Sequence, residues 1–230
     1  YEPDFHLPMA LCWPAATPGG RRVEDLISFV DLAPTFLSVA GVEAPAELVG
    51  RSLLSIVRAR GSGRIEPERD RVFLGRERHD VGREGDVGYP VRCLRTPTHL
   101  YVRNFRPELW PVGNPETGYT GADSSPTKAL ILAQHARGEH HYYNLAFGKR
   151  PAEELYQIVD DPECLHNLAY DPAQAALRER LWQELRAELE RTGDPRIFGN
   201  GAVFDGYEYV GKSDHSWRAY IEGRFKPQTY

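Results

Sequence analysis

Five ionisable side chains stand in a row in Gly75-Arg76-Glu77-Arg78-His79-Asp80, at the end of a strand-like run and just before the glycine-rich segment Val81 to Gly88. Strand ends that open into loops commonly carry sites. Arginine beside histidine suits an oxyanion, because the guanidinium fork matches the oxygens of a sulfate or carboxylate. A solvated turn with internal ion pairs has the same composition and is the plainer reading. His140-His141, followed by Tyr142-Tyr143, is the other conspicuous cluster. Read on a strand, adjacent histidines point to opposite faces, which predicts one packed and one exposed ring rather than a metal pair. Glu77, His79 and Asp80 are metal-ligand types too, but no second ligand set follows at a familiar spacing. Ser28, Ser38, Ser52 and Ser55 sit in or beside expected helices with no histidine nearby in sequence. No G-x-S-x-G, Walker loop, H-E-x-x-H or strand-linked G-x-G-x-x-G occurs. The residues therefore outline an anion-friendly loop without a complete reactive centre.

The elements that must position this loop are α/β in pattern. Leu7 to Trp13 is a continuous apolar run ended by Pro14, expected as a strand buried on both faces. Val23 to Val30 is a second strand or a lead-in to a helix capped by Asp31 and closed by Gly41, with Leu32, Phe36, Leu37 and Ala40 as its apolar face. Leu53 to Val57 is a short apolar turn, and Arg58 to Asp70 reads as an exposed connector. Antiparallel strands then follow at Arg71 to Gly75, Val91 to Arg95 and Leu100 to Phe105, the last two forming a hairpin with one buried face. A Pro- and Gly-rich loop runs from Arg106 to Ser125, and Glu154 to Val159 is another strand. The leucines at 177, 181, 185 and 189 predict a helix from about 171 to 191 that lies on the hairpin sheet. The aromatic stretch from Asp194 to Tyr230 is expected to pack over a neighbour. The expected divisions are 1–66, 67–192 and 193–230.

Composition narrows the classes. Of 230 residues, 41% are hydrophobic, enough to bury a core. A net charge of -5 argues against a protein that coats nucleic acid. The basic side is skewed: of 24 arginines, 13 fall between Arg51 and Arg106, where only seven acids oppose them. No apolar run approaches the ~20 residues of a membrane span. Cys12, Cys93 and Cys164 are too few and scattered for a disulfide framework and are expected as buried small hydrophobes.

Two motif sets carry a family resemblance. Ser28-Phe29-Val30-Asp31-Leu32-Ala33-Pro34-Thr35, followed by Gly41 and then Gly50-Arg51-Ser52-Leu53, resembles the "S-x-x-D-L-x-P-T" helix and "G-x-S-L" turn of type I sulfatases. Glu153-Glu154-Leu155-Tyr156, Asp160-Asp161-Pro162-Glu163 and Asn167-Leu168-Ala169 resemble the "E-L-Y-D, D-P-x-E, N-L-A" series of the same family, with Gln157 in place of its Asp. The middle section, through Gly75, His79, Tyr89-Pro90-Val91-Arg92, Asn104-Phe105, Ser125-Pro126-Thr127 and His140-Tyr142-Tyr143, is similar to the heparan N-sulfatase branch. Asp4 and His6 depart from the Gly turn and basic residue usual near that position.

The resemblance implies a fold and a chemistry. The chain would be the C-terminal fragment of a sulfatase-type α/β sandwich, with a small antiparallel sheet subdomain packed on a C-terminal helix. The parent would hydrolyse a sulfate ester or sulfamate of a sulfated sugar through a formylglycine, with Ca2+ and basic groups stabilising the charged oxygens. Cys12-Trp13-Pro14-Ala15-Ala16 has Ala16 where the formylglycine motif needs Arg, and the family's calcium ligands would precede Tyr1. The fragment alone is then expected to be inert, needing the N-terminal catalytic part, and the first apolar run to be missing its sheet neighbours. His79 is the first candidate for substrate contact, with Arg76, Arg78 and Arg92 behind it. No residue fixes the compartment, although the resemblance implies periplasmic, secreted or lysosomal export. The rival readings are a phosphoryl or phosphonate hydrolase of the wider alkaline phosphatase superfamily, and a noncatalytic glycan-binding module.

Overall fold

The computed structural model describes residues 1–227. In chain order it contains α1 (Glu2–Phe5), α2 (Leu32–Ala40), α3 (Leu54–Arg58), β1 (Val72–Arg76), β2 (Val91–Arg95), β3 (His99–Asn104), α4 (Pro126–Ala136), α5 (His141–Phe147), β4 (Glu153–Gln157), α6 (Ala175–Arg191) and α7 (Trp217–Ile221). The strands form one sheet in the order β1-β2-β3-β4. Cross-strand bonds from Tyr89 N to Glu77 O, Asn104 N to Ala152 O and Ile158 N to Thr98 O make it an antiparallel meander. The expected hairpin is present, but Leu100, Tyr101 and Val102 are all buried. Successive strand residues point to opposite faces, so the sheet is covered on both.

The chain divides into two compact units. The first comprises Tyr1–Leu74, Leu94–Tyr101 and Leu155–Ala175, and the second comprises Gly75–Cys93, Val102–Glu154 and the described residues from Ala176 onward.

In the first unit the sulfatase-like motifs are packing devices. Asp31 caps no amide of α2's first turn. Its carboxylate accepts from Ser28 N (3.1 Å), Arg51 N (2.8 Å) and Arg69 Nη1 (3.2 Å). Thr35 Oγ1 accepts from Leu53 N at 2.8 Å. At Gly50 any Cβ would fall 2.0 Å from Val30 O, so only glycine admits that approach. These contacts bring Leu53, Ile56 and Val57 into a small core with Trp13, Val23, Ile27, Leu32 and Ile65. They also set the rotation of α2. Pro34 and Thr35 face inward while Phe36 is 66% exposed and Ala40 is exposed, which corrects the expected apolar face. Gly41 closes the helix at φ 70°, as expected. The second motif set works alike. Asn167 Oδ1 accepts from Leu155 N and Ala169 N, and Asp161 accepts from Leu165 N and His166 N.

Further expectations are corrected here. Leu7 to Trp13 is not a strand, and Leu7, Met9 and Leu11 are 52%, 44% and 46% exposed. Among the described residues no strand pairs with it, and an apolar run without backbone partners does not hold a strand. Cys12 is exposed, while Cys93 and Cys164 are buried. Arg58 to Asp70 is no free connector: Asp25 accepts from Ile65 N and Glu66 N, Gly63 bridges to Val23, and Arg69 is buried against Asp31, Glu66 and the carbonyls of Arg51 and Ser52.

In the second unit α6 buries Leu181, Leu185 and Leu189, and Trp182 lies 4.8 Å under the Arg103 guanidinium of β3. The unexpected helix α4 starts at Ser125, whose side chain accepts from Lys128 N. His140 and His141 open a helix rather than riding a strand, and both are exposed. The stretch from Asp194 is packed, yet Phe198 and Tyr207 are 57% and 60% exposed, so polar contacts rather than ring burial hold it. The expectation for Tyr230 lies outside the described residues.

Candidate functional site

β1 ends at Arg76 and delivers the arginine-histidine loop at the rim of a cleft of about 250 Å³ lined by Gly75, Arg76, Glu77, Arg92, Asp194 and Phe204. One side of the cleft is an ion-pair lattice. Arg92 Nη2 donates to Glu77 Oε1 at 2.6 Å, and Arg92 Nε and Nη2 reach Asp194 at 2.7 and 3.2 Å. Arg196 Nη2 donates to Glu77 Oε2 at 2.7 Å, and its backbone N–H reaches Asp194 Oδ1 at 2.8 Å. Phe204 lies beneath both guanidinium groups, 6.0 Å from Arg92 and 5.5 Å from Arg196. Burial alone would lower the Arg92 pKa, but the hydrogen bonds and charges of Asp194 and Glu77 raise it above the ordinary arginine value. Its positive charge is permanent and already matched.

Beyond Arg76 the loop is pinned by its own backbone requirements. Gly82 sits at φ 101°, where a Cβ would fall 2.2 Å from Thr120 Oγ1, and its carbonyl accepts from Thr117 Oγ1 at 2.7 Å. Asp86 holds both ends of a long chain separation, accepting from Gly82 N and Trp217 N at 2.9 and 2.7 Å. Asp80 Oδ1 accepts from Val81 N and Tyr209 Oη, each at 2.8 Å, and lies 3.0 Å from His215 Nε2. Arg83 is buried, with Nε and Nη2 donating to the carbonyls of Trp110 and Pro111 at 2.8 and 2.7 Å. Burial, followed by repulsion from Arg76, lowers its pKa to about 10.

The four residues singled out in the sequence have different surroundings. Arg92 is buried in the lattice. Arg78 donates to the carbonyls of Asp205 and Tyr207. Arg76 donates to Pro111 O at 3.1 Å and keeps an exposed position on the cleft rim. His79 is exposed on the same loop. The arginine excess of this region is thus largely spent on internal ties, Arg69, Arg83 and Arg92 all being buried. Asp194, Arg196, Asp205, Tyr209 and His215 were not legible as partners, because nothing local in the sequence connects them to positions 76–92.

The buried acids of this arrangement are matched by arginine, backbone N–H, tyrosine or histidine. Among the described residues no group of three or more His, Cys, Asp or Glu side chains is placed to hold a metal ion. No helix among them is long and apolar enough to cross a membrane.

Comparison with known proteins places this geometry. The family model described as "N-sulphoglucosamine sulphohydrolase, C-terminal" matches residues 1–74, the segment that holds the Asp31–Thr35–Gly50 clamp. That segment is therefore similar to the C-terminal part of a sulfatase. The chain is 29% identical over 197 residues to an ulvan-active sulfatase of Formosa agariphila, covering 83% of the chain and 29% of that protein. It is 28% identical over 204 residues to the N-sulphoglucosamine sulphohydrolase of Homo sapiens, covering 81% of the chain and 36% of that protein. A solved structure described as a complex with its substrate D-glucosamine-2-N,6-O-disulfate superposes with a TM-score of 0.52 at 18% identity, over 79% of this chain and 28% of that one. That likeness supports the fold: an α/β architecture with a small antiparallel sheet. The chain spans about a third of the length of the curated relatives it matches.

Proposed function

We propose that this chain is the C-terminal part of a longer sulfatase that hydrolyses a sulfate ester or sulfamate of a sulfated sugar, with an N-sulfoglucosamine-type substrate as the leading candidate. The observation that carries the reading is the family match over residues 1–74, joined to the likeness with N-sulphoglucosamine sulphohydrolase over 81% of the chain. In this reading the formylglycine nucleophile and Ca2+ belong to sequence outside these 230 residues, and the chain alone is inert.

The role left to this chain is recognition. His79 contacts the sugar or its sulfate, and Arg76 supplies a guanidinium edge beside it. Arg78 and Arg92, tied to carbonyls and carboxylates, hold the loop in the shape that presents them. Three features support the reading: the exposed His79, the cleft at the end of β1, and the rigid lattice behind it. A loop held by buried ion pairs keeps a binding group within the narrow tolerance that recognition needs.

The test is His79→Ala in the longer enzyme, assayed with N-sulfated and 6-O-sulfated glucosamine. We expect kcat/KM to fall about tenfold or more while the unfolding midpoint stays put. One charged or polar contact to substrate is worth about 1.5–3 kcal/mol, which sets that scale. Unchanged kinetics would remove His79 from the site.

A further inference from the structure

His135 and His140 belong to no part of the sugar-recognition reading, and their ring nitrogens face each other. His135 lies in the last turn of α4, and His140 is the capping residue just before α5. Their Nδ1 atoms are 2.8 Å apart. The pairing is across the turn between the two helices, not between the adjacent histidines 140 and 141. His141 instead lies edge-on to Tyr142 at 5.0 Å, and Glu139 pairs with Arg137.

One of the two rings is held in place by packing, while His140 is exposed. His135 stacks on Tyr143 with centroids 3.5 Å apart and planes 15° from parallel. Tyr143 is buried, and its hydroxyl meets that of Tyr119 at 2.6 Å in a core with Phe147. Two nitrogens facing each other at this distance share one proton: one ring donates, the other accepts. A metal ion uses the lone pairs of both, and the shared proton moves through solvent to an outer Nε2 as that ring changes tautomer.

The spacing selects the geometry. Ligand nitrogens at 2.0–2.1 Å from a metal lie about 2.9 Å apart when the angle between them is a right angle, and about 3.3 Å apart at the tetrahedral angle. A separation of 2.8 Å therefore matches a square-planar or octahedral ion. We propose that His135 and His140 form a bidentate surface site for a transition metal of Cu(II) or Ni(II) type, with water completing the coordination. Two protein ligands suffice for this and stay below the three-ligand groups absent among the described residues. The proposal is independent of the sulfatase reading.

Titration of the full chain with Cu(II) alone, followed by electron paramagnetic resonance and calorimetry, tests it. One equivalent is expected to bind with couplings to two imidazole nitrogens, and Ni(II) to bind more tightly than Zn(II). His135→Ala and His140→Ala should each weaken the first equivalent about a hundredfold, the scale on which a second tethered ligand raises affinity. The double variant should be no weaker than either single one, and His141→Ala should bind as the parent chain does. A first equivalent coupled to one nitrogen only, or one whose affinity survives His140→Ala, would overturn the site. The spectrum of the unaltered chain decides the matter even where a variant fails to fold.

Discussion

Replacing Arg92 with methionine separates architecture from recognition in the candidate site. Arg92 is 6% exposed and makes three hydrogen bonds to two carboxylates, at 2.6, 2.7 and 3.2 Å. Methionine keeps most of the buried stem and deletes the charge, leaving Glu77 and Asp194 without their shared partner. Breaking a buried ion pair from one side costs about 3–5 kcal/mol. Glu77 retains Arg196, Asp194 retains the Arg196 amide, and both carboxylates keep some solvent contact, so the lower end applies: about 3 kcal/mol. With a urea m-value of about 2–3 kcal/mol/M, the unfolding midpoint of the full chain should fall by about 1–1.5 M. The cycle with Asp194→Asn isolates the pair. The double variant should lose less than the two single losses added together, by at least about 1 kcal/mol. A midpoint shift for Arg92→Met equivalent to less than about 0.5 kcal/mol, the size expected of an exposed pair, would refute the lattice as the loop's support.

Three further predictions concern cysteine and tyrosine side chains. Burial pushes the Cys93 thiol up to about 12 from an ordinary 9.0. The unfolded chain therefore sheds that proton first, and the stability tied to the neutral thiol, full below pH 9, is lost as pH rises from about 9 to 12. Urea melts at pH 8 and 10 should show the decline, and Cys93→Ala should flatten it. In native thiol labelling at pH 8, Cys12 should react at once while Cys93 and Cys164 wait for unfolding. Tyr89 is 1% exposed, and its hydroxyl has no hydrogen-bond partner among the described residues. Tyr89→Phe removes an unsatisfied polar atom and should hold or raise the urea midpoint, by up to about 1 kcal/mol. A loss beyond that would mean the hydroxyl has a partner after all.

Periodicity made the strongest elements legible. The leucine spacing of α6 and the β2–β3 hairpin depend on local pattern, and they stand close to where that pattern puts them. The Leu7 to Trp13 run misleads because apolarity alone does not supply strand partners, and α4 was hidden because Ser125-Pro126 reads equally as a loop and as a helix start. The sulfatase-like motif residues were visible, but their work was not: Asp31 looks like a helix cap and instead holds a turn 20 residues away. The same holds at the site. The Arg76 to Asp80 loop stands out by composition, whereas its supports are Arg196, 119 residues on from Glu77, and His215, 135 residues on from Asp80. Ion pairs across such separations leave no periodic trace in one sequence.

Sulfate release tests the central reading most directly. The longer protein containing this chain, produced with its formylglycine formed, and the 230-residue chain alone should each be incubated with D-glucosamine-2-N,6-O-disulfate and free sulfate measured. Sulfate released by the longer protein and none by the chain is the predicted result. Release by the chain alone, or none by the longer protein on this or any other sulfated sugar, would contradict it.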